Sequence, residues 1–380
     1  MLAIRGARLF DGADVVPDPL VLVDGARVAA VTAGGAPPAG AELVDLGAAT
    51  LLPGLIDTHT HLAFDASADP VGRLAAASDD ELLDRMRAAA RTALAAGVTT
   101  VRDLGDRGYL SLALRAELAA DPAAGPHLIA AGPPITTTGG HCWFLGGAAD
   151  GVAGVRAAVR ERAERGVDVI KVMASGGELT PGSDAGTPQY GPDELRAIAD
   201  EAHRWGLPVT AHAHAASSIT DAVAAGVDMI EHCSYATPAV IAALRRGGTV
   251  VSATVGAAPG APYPPRLVAL LTQYFQVMRG LREAGVPVVY GSDAGIREAK
   301  PHGVLPHGVI AMVRRAGAPP IEALRAVTSL AASACGVGDR KGRIAPGYDA
   351  DLIAVAGDPL KEIEALTSLI AVFRTGYRRL

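Results

Sequence analysis

One unit recurs along this chain and restricts its fold more than any other feature. A helical stretch ends in glycine, a short β-branched apolar run follows, and a polar residue closes the run. The unit occurs as "AAGVTTVRD", "ERGVDVIKV", "RWGLPVTAH", "AAGVDMIEH" and "EAGVPVVYGSD". Gly97, Gly166, Gly206, Gly226 and Gly285 stand where a helix C-cap takes a left-handed residue before the chain turns directly into a strand. A sixth copy, "RRGGTVVSA" at 245–253, ends in Ser252 and Ala253. Adding the run at 52–61 and "HLIAAG" at 127–132 gives eight β/α units. Eight parallel strands with crossover helices predict an α/β protein built on a closed (β/α)8 TIM barrel. The helix before the first copy opens at Ser78 with Glu81 three residues on, a capping-box pattern, and Leu82, Leu83, Met86, Ala90 and Leu94 form its apolar face.

The chain ends follow another pattern. Residues 1–50 show short alternating runs such as "LVLVDGARVAAV", with Asp24-Gly25 as a hairpin turn, and "GRIAPGYDADLIAV" resumes that style near the C-terminus. Neither part is long enough to hold a core alone. The expectation is a composite β-sandwich domain from residues 1–52 and 340–380 beside a barrel spanning 53–339.

Composition excludes several functions. Hydrophobic residues make up 49% and charged residues 19% of the 380, which is globular and not disordered. A net charge of −6 without a basic run gives no electrostatic footprint for nucleic acid or an anionic membrane. No uninterrupted apolar run reaches the ~18 residues of a membrane span, and Arg5, Arg8 and Asp11 interrupt the N-terminus where a signal peptide is apolar. The expectation is a soluble cytoplasmic protein acting on a small molecule, compatible with a homo-oligomer. Cys142, Cys233 and Cys335 lack CxxC spacing, so neither a disulfide framework nor a thiolate zinc site is expected.

Barrel chemistry sits at the C-terminal ends of the strands. There the chain places His59, His61, Lys171, His212, His232 and Asp293. In "LLPGLIDTHTHLAFD" alternation turns His59 and His61 to one face, so their ring nitrogens converge; two buried core histidines would be the structural alternative. Five of the six are ordinary ligands for zinc or a similar ion. Lys171 has no lone pair to offer as an ammonium. CO2 added to its neutral amine would give a carbamate whose two oxygens can bridge two cations; the alternative is a lysine anchoring a substrate carboxylate or an ion pair. In "AHAHA" both His212 and His214 share a face, and periodicity does not choose between them.

These residues resemble the amidohydrolase superfamily, specifically its imidazolonepropionase-like and Xaa-Pro dipeptidase-like (prolidase-like) branch. The likeness spans nearly the whole chain through "PGLIDTHTH", "GVTTVRD", "TGGH", "DVIKVMASGG", "AHAHA", "IEHCSY", "GSDAG" and "GRIAPGYDADLIAV". It implies two divalent metal ions, zinc foremost. His59, His61 and Asp293 would hold the more buried ion, His212 and His232 the other, and carbamylated Lys171 would bridge them. His214 would support the ligands or touch substrate. A metal-bridging hydroxide would cleave an amide or peptide-like C–N bond of a dipeptide or N-acyl amino acid, with Asp293 moving the proton to the leaving amine. His141 would polarise the scissile carbonyl, and Tyr235 would bind the substrate carboxylate or the transition-state oxygen.

Other readings keep the architecture and change the bond, to an ester, lactone, carbamate, phosphoester or cyclic amide. A deaminase is disfavoured by Lys171, and a non-catalytic scaffold by the complete ligand set. Trp143 and Phe144, in "HCWFLGG", are expected to line an apolar side-chain pocket. His127, His203, His302, His307 and Asp103 are expected to be structural or supporting.

Overall fold

Glycine-ended helices feed six of the eight parallel strands, as the repeat predicts. The eight are β1 (Leu55–Thr60), β2 (Val98–Asp103), β3 (His127–Ala130), β4 (Ile170–Met173), β5 (Val209–Ala213), β6 (Met229–His232), β7 (Val250–Thr254) and β8 (Val288–Gly291). The computed structural model describes residues 1–261 and 265–380. Gly166 and Gly226 cap their helices with φ of 80° and 86°, backbone that a β-carbon would strain. The capping box at Ser78 and Glu81 is formed, and Leu82, Met86, Ala90 and Leu94 are buried beneath it.

The closed ladder expected from eight strands is instead two parallel sheets, β3-β2-β1 and β4-β5-β6-β7-β8. Isolated parallel bridges, Ile135 to Val172 and Thr60 to Ala294, join their edges at both seams. Each interruption has a local cause. Pro133 and Pro134 follow β3 and have no N–H to continue a ladder. Beyond β8, Asp293 takes a left-handed φ of 56° that ends the extended backbone.

The run expected as one strand over 52–61 is divided. Thr50–Pro53 pairs with Leu352–Val355, whereas Leu55–Thr60 joins the parallel strands. Gly54 lies between them, and a β-carbon there would stand 2.1 Å from Thr99 Oγ1, so glycine permits the change of sheet. His61 thus follows the strand end.

Both termini contribute to a six-stranded sheet, in which Leu352–Val355 and Leu369–Arg374 lie beside Thr50–Pro53 and Arg8–Phe10. A four-stranded sheet from residues 2–45 shares an apolar cluster with it, containing Ile4, Val21, Leu51, Leu352 and Phe373. The hairpin expected at Asp24-Gly25 closes on the Asp24–Arg27 pair, one residue later. Among the described residues no helix is long and apolar enough to cross a membrane.

Candidate metal centre

The strand ends bring two ligand groups together. His59, His61 and Asp293 have donor atoms within 4.8 Å of one another, as do His212, His214 and His232. His59 Nε2 lies 3.1 Å from His61 Nε2, and Asp293 Oδ1 lies 3.6 Å and 3.5 Å from the two imidazoles. The groups adjoin, since the His59 and His232 ring centroids are 5.1 Å apart.

Alternation explains most of this convergence. Asp57, His59 and His61 share a face, and Lys171, Thr210, His212 and Glu231 occupy inward positions on their strands. His232 should then point away from Glu231. It turns back because it adopts a left-handed φ of 68°, followed by Cys233 at 58°. Non-glycine residues in this region are strained, and such strain concentrates at functional sites.

Lys171 lies among the two groups with 1% exposure, and its Nζ is buried without a hydrogen-bond partner. Burial draws its pKa down to about 8, outweighing Glu231 and Asp293. An uncapped amine of lowered basicity is the form that adds CO2, so the observed environment fits the anion that two cations would require. The imidazoles fit as well. Burial and the Lys171 ammonium bring His59 to about 4, and burial with neighbouring imidazoles holds His212 and His232 far below the usual histidine range. Neutral imidazole is the metal-binding form. At Asp293 burial favours the acid, yet Lys300, His61 and His59 together hold the carboxyl well below its ordinary range.

His212 and His214 are equally close to His232, with ring centroids at 4.5 and 4.6 Å. His212 Nε2 faces the Gly176 carbonyl at 3.0 Å, and His214 Nδ1 faces Ser234 Oγ at 2.9 Å. His141 is buried beside His212 at 4.7 Å between ring centroids, with Nδ1 unpartnered. Burial, then His214 and Lys171, bring its pKa to about 3. Its ring covers Gly177, where a β-carbon would stand 2.5 Å from Nε2. Tyr235 is half-buried with its ring 6.1 Å from that of His214.

All nine expected site residues line one cavity of about 270 Å³. Trp143 and Phe144 do not. Trp143 is 52% exposed, and Phe144 packs on Phe64 from outside at 6.4 Å. The apolar wall comes instead from Phe64, Leu270, Leu271, Tyr274, Phe275 and Ile296, four of them on the helix Pro265–Glu283. Three of the four remaining histidines have structural partners: His302 with the Phe64 carbonyl, His127 with Arg340 and His203 with Asp228. Asp103 accepts from the Leu62 and Gly105 amides and so fixes the turn after His61.

Sequence reasoning missed the residues behind the ligands. Glu231 meets His59 Nδ1 at 2.8 Å and Arg102 Nη2 at 2.9 Å, all in the interior. Thr254 Oγ1 meets His232 Nδ1 at 2.8 Å. Lys300 donates to the Ser292 carbonyl at 2.9 Å and stands 3.6 Å from Asp293 Oδ2. A carboxylate at an inward position of the apolar run "VDMIEH" was the available signal for Glu231.

A profile of the amidohydrolase family matches residues 50–377. Ochratoxinase of Aspergillus niger is 31% identical over 362 residues, covering 85% of this chain and 73% of that protein. Imidazolonepropionase of Cereibacter sphaeroides is 29% identical over 389 residues, covering 92% and 91%. A solved Xaa-Pro dipeptidase with methionine bound in its active site superposes with a TM-score of 0.90 at 28% identity, covering 99% of both chains.

Proposed function

The chain belongs to the amidohydrolase family, and from that premise we propose that it is a metal-dependent hydrolase cleaving an amide or peptide-like C–N bond of a dipeptide or N-acyl amino acid. The observation that carries this reading is the buried, unpartnered Lys171 amine among two adjoining ligand groups. The likeness to a dipeptidase solved with an amino acid in its active site supports the substrate class. The proposal includes a barrel over residues 53–339, its two parallel sheets meeting through isolated bridges and not a continuous ladder, beside a β-sandwich of residues 1–52 and 340–380. It also takes the protein to be cytoplasmic, alone or as a homo-oligomer, without nucleic-acid or membrane partners.

His59, His61 and Asp293 would hold one divalent cation, His212 and His232 a second, and Lys171 as a carbamate would face both. Zinc suits this imidazole and carboxylate set. Bound ions would supply Lewis acidity toward the substrate carbonyl and lower the pKa of a coordinated water. The protein's own groups do the rest. Asp293 turns Oδ1 toward the imidazoles and Oδ2 toward Lys300, so Oδ2 is the oxygen that takes a proton and returns it to the leaving nitrogen. Lys300 and the neighbouring imidazoles keep it ionised. His141, with Nδ1 uncommitted, donates to the carbonyl oxygen, and Tyr235 donates to that oxygen as charge develops on it. His214 touches the substrate beside Tyr235.

The test is a screen of metal-loaded protein against dipeptides and N-acyl amino acids. Hydrolysis abolished by chelation and restored by zinc is expected; activity indifferent to chelator would overturn the proposal.

A further inference from the structure

One side chain outside the mechanism above spans the seam between β3 and β4, where the parallel ladder is interrupted. Beside the site, the backbone bonds across that seam are those of Ile135, whose N–H donates to the Lys171 carbonyl at 2.8 Å and whose carbonyl accepts from Met173 at 2.8 Å. Gln189 lies beyond β4, and its own N–H donates to the Ala174 carbonyl at 2.9 Å, which ties its backbone to the β4 side. Its amide head reaches the β3 side. Oε1 accepts from the His141 N–H at 2.7 Å, and Nε2 donates to Thr136 Oγ1 at 2.9 Å and to Thr137 Oγ1 at 3.4 Å. Chemistry fixes the orientation of the head, since a backbone N–H requires the oxygen and the NH2 group must then face the hydroxyls.

We propose that Gln189 is the positioning residue for His141, holding its backbone so that the imidazole stands where a substrate carbonyl can reach it. This rests on the hydrolase reading and deepens it, by naming what places the group that polarises the carbonyl.

The imidazole needs such a hold because its Nδ1 is buried without a hydrogen-bond partner. Leaving that atom for substrate means that the ring is placed through its backbone. The backbone there is not at rest, since Cys142, directly after His141, takes a left-handed φ of 58°. A residue with a β-carbon keeps that conformation only where its surroundings impose it. The Cys142 N–H donates to Thr180 Oγ1 at 2.8 Å. Consecutive amides of the turn are thus held by Gln189 and Thr180, both from the segment that leaves β4, the strand of Lys171.

Two glycines show how closely the parts fit. A β-carbon at Gly140 would stand 2.5 Å from Gln189 Nε2, and one at Gly177 would stand 2.5 Å from His141 Nε2. Gly140 therefore makes room for the amide head. Gly177 lets the ring lie against the segment after β4, beside His212.

Two substitutions test the assignment. Gln189→Met removes the polar head at similar length, whereas Gln189→Glu keeps an oxygen for the His141 N–H and lets the threonine hydroxyls rotate to donate to it. Hydrogen exchange at the His141 amide, measured on metal-free protein, reads the contact directly. Exchange should accelerate in Gln189→Met and stay near wild type in Gln189→Glu. Steady-state kinetics read the consequence. Gln189→Met should lower kcat by about 10- to 100-fold with KM little changed, as expected of a displaced catalytic group, and Gln189→Glu should recover most of the loss. In a His141→Ala background Gln189→Met should cost nothing further, because the group it positions is gone. Unchanged exchange at His141 in Gln189→Met would overturn the proposal. So would the same fold-loss with and without His141, which is the mark of a merely structural role. If Gln189→Met fails to fold, Gln189→Asn, which keeps the amide but shortens its reach, should give the same pattern. If wild type cleaves no substrate, the hydrolase reading falls, and the exchange comparison alone decides whether Gln189 places His141.

Discussion

Glu231 Oε2 stands 2.8 Å from His59 Nδ1, with both side chains out of solvent. That contact places the ring proton on Nδ1 and leaves the Nε2 lone pair facing His61 and Asp293. Burial raises the Glu231 pKa, but His59, Arg102 and Lys171 more than compensate and hold it at about 2. The carboxylate therefore persists without solvent.

Glu231→Gln should weaken metal retention by about 10- to 100-fold, because the amide orients His59 less firmly. Chelator competition followed by elemental analysis checks this. The same carboxylate gives an acid signature. Its folded pKa lies below the ordinary 4.5, so its stabilisation is complete above 4.5 and disappears as pH falls toward 2. Thermal melts of metal-free protein over that window should be flatter for Glu231→Gln; an unchanged slope would show that Glu231 does not govern it.

Lys171→Ala should remove the shared anion and most of the activity, with partial rescue by short carboxylic acids that occupy the same space. Metal content and turnover, with and without added acetate or propionate, give the readout. A fully active variant would exclude the carbamate.

Asp293→Asn should depress kcat by about 10² or more for every substrate, since in the proposed mechanism the proton passes through this residue whatever the side chain cleaved. A loss confined to some substrates in steady-state kinetics would assign Asp293 to binding instead.

The choice between His212 and His214 is settled by stoichiometry. His212→Ala should lower bound metal toward one ion per chain, whereas His214→Ala should keep two and raise KM. Elemental analysis with the reverse pattern would exchange their roles.

Legibility in the sequence follows from the range of the forces involved. The strand-end ligands were visible because period-two alternation and glycine caps are local. His59, His61 and Lys171 needed only their own strands. The contacts of Glu231 with His59 and Arg102 join residues 172 and 129 positions apart, and no local pattern reports them. His232 shows the limit of alternation, since only its left-handed backbone brings it to the face that Glu231 already occupies. The apolar wall escaped for a related reason. Leu270, Leu271 and Phe275 sit on a helix that looks like any other crossover helix in sequence, while the aromatic "HCWFLGG" loop drew attention to Trp143, which faces solvent.

The helix Pro265–Glu283 therefore makes chemistry and selectivity separable inheritances. Strand ends hold the groups proposed to move a proton or face a cation, whereas this one helix supplies most of the apolar surface of the cavity. A lineage, or a directed-evolution library confined to Leu270, Leu271 and Phe275, can exchange one substrate for another without touching the residues that break the bond.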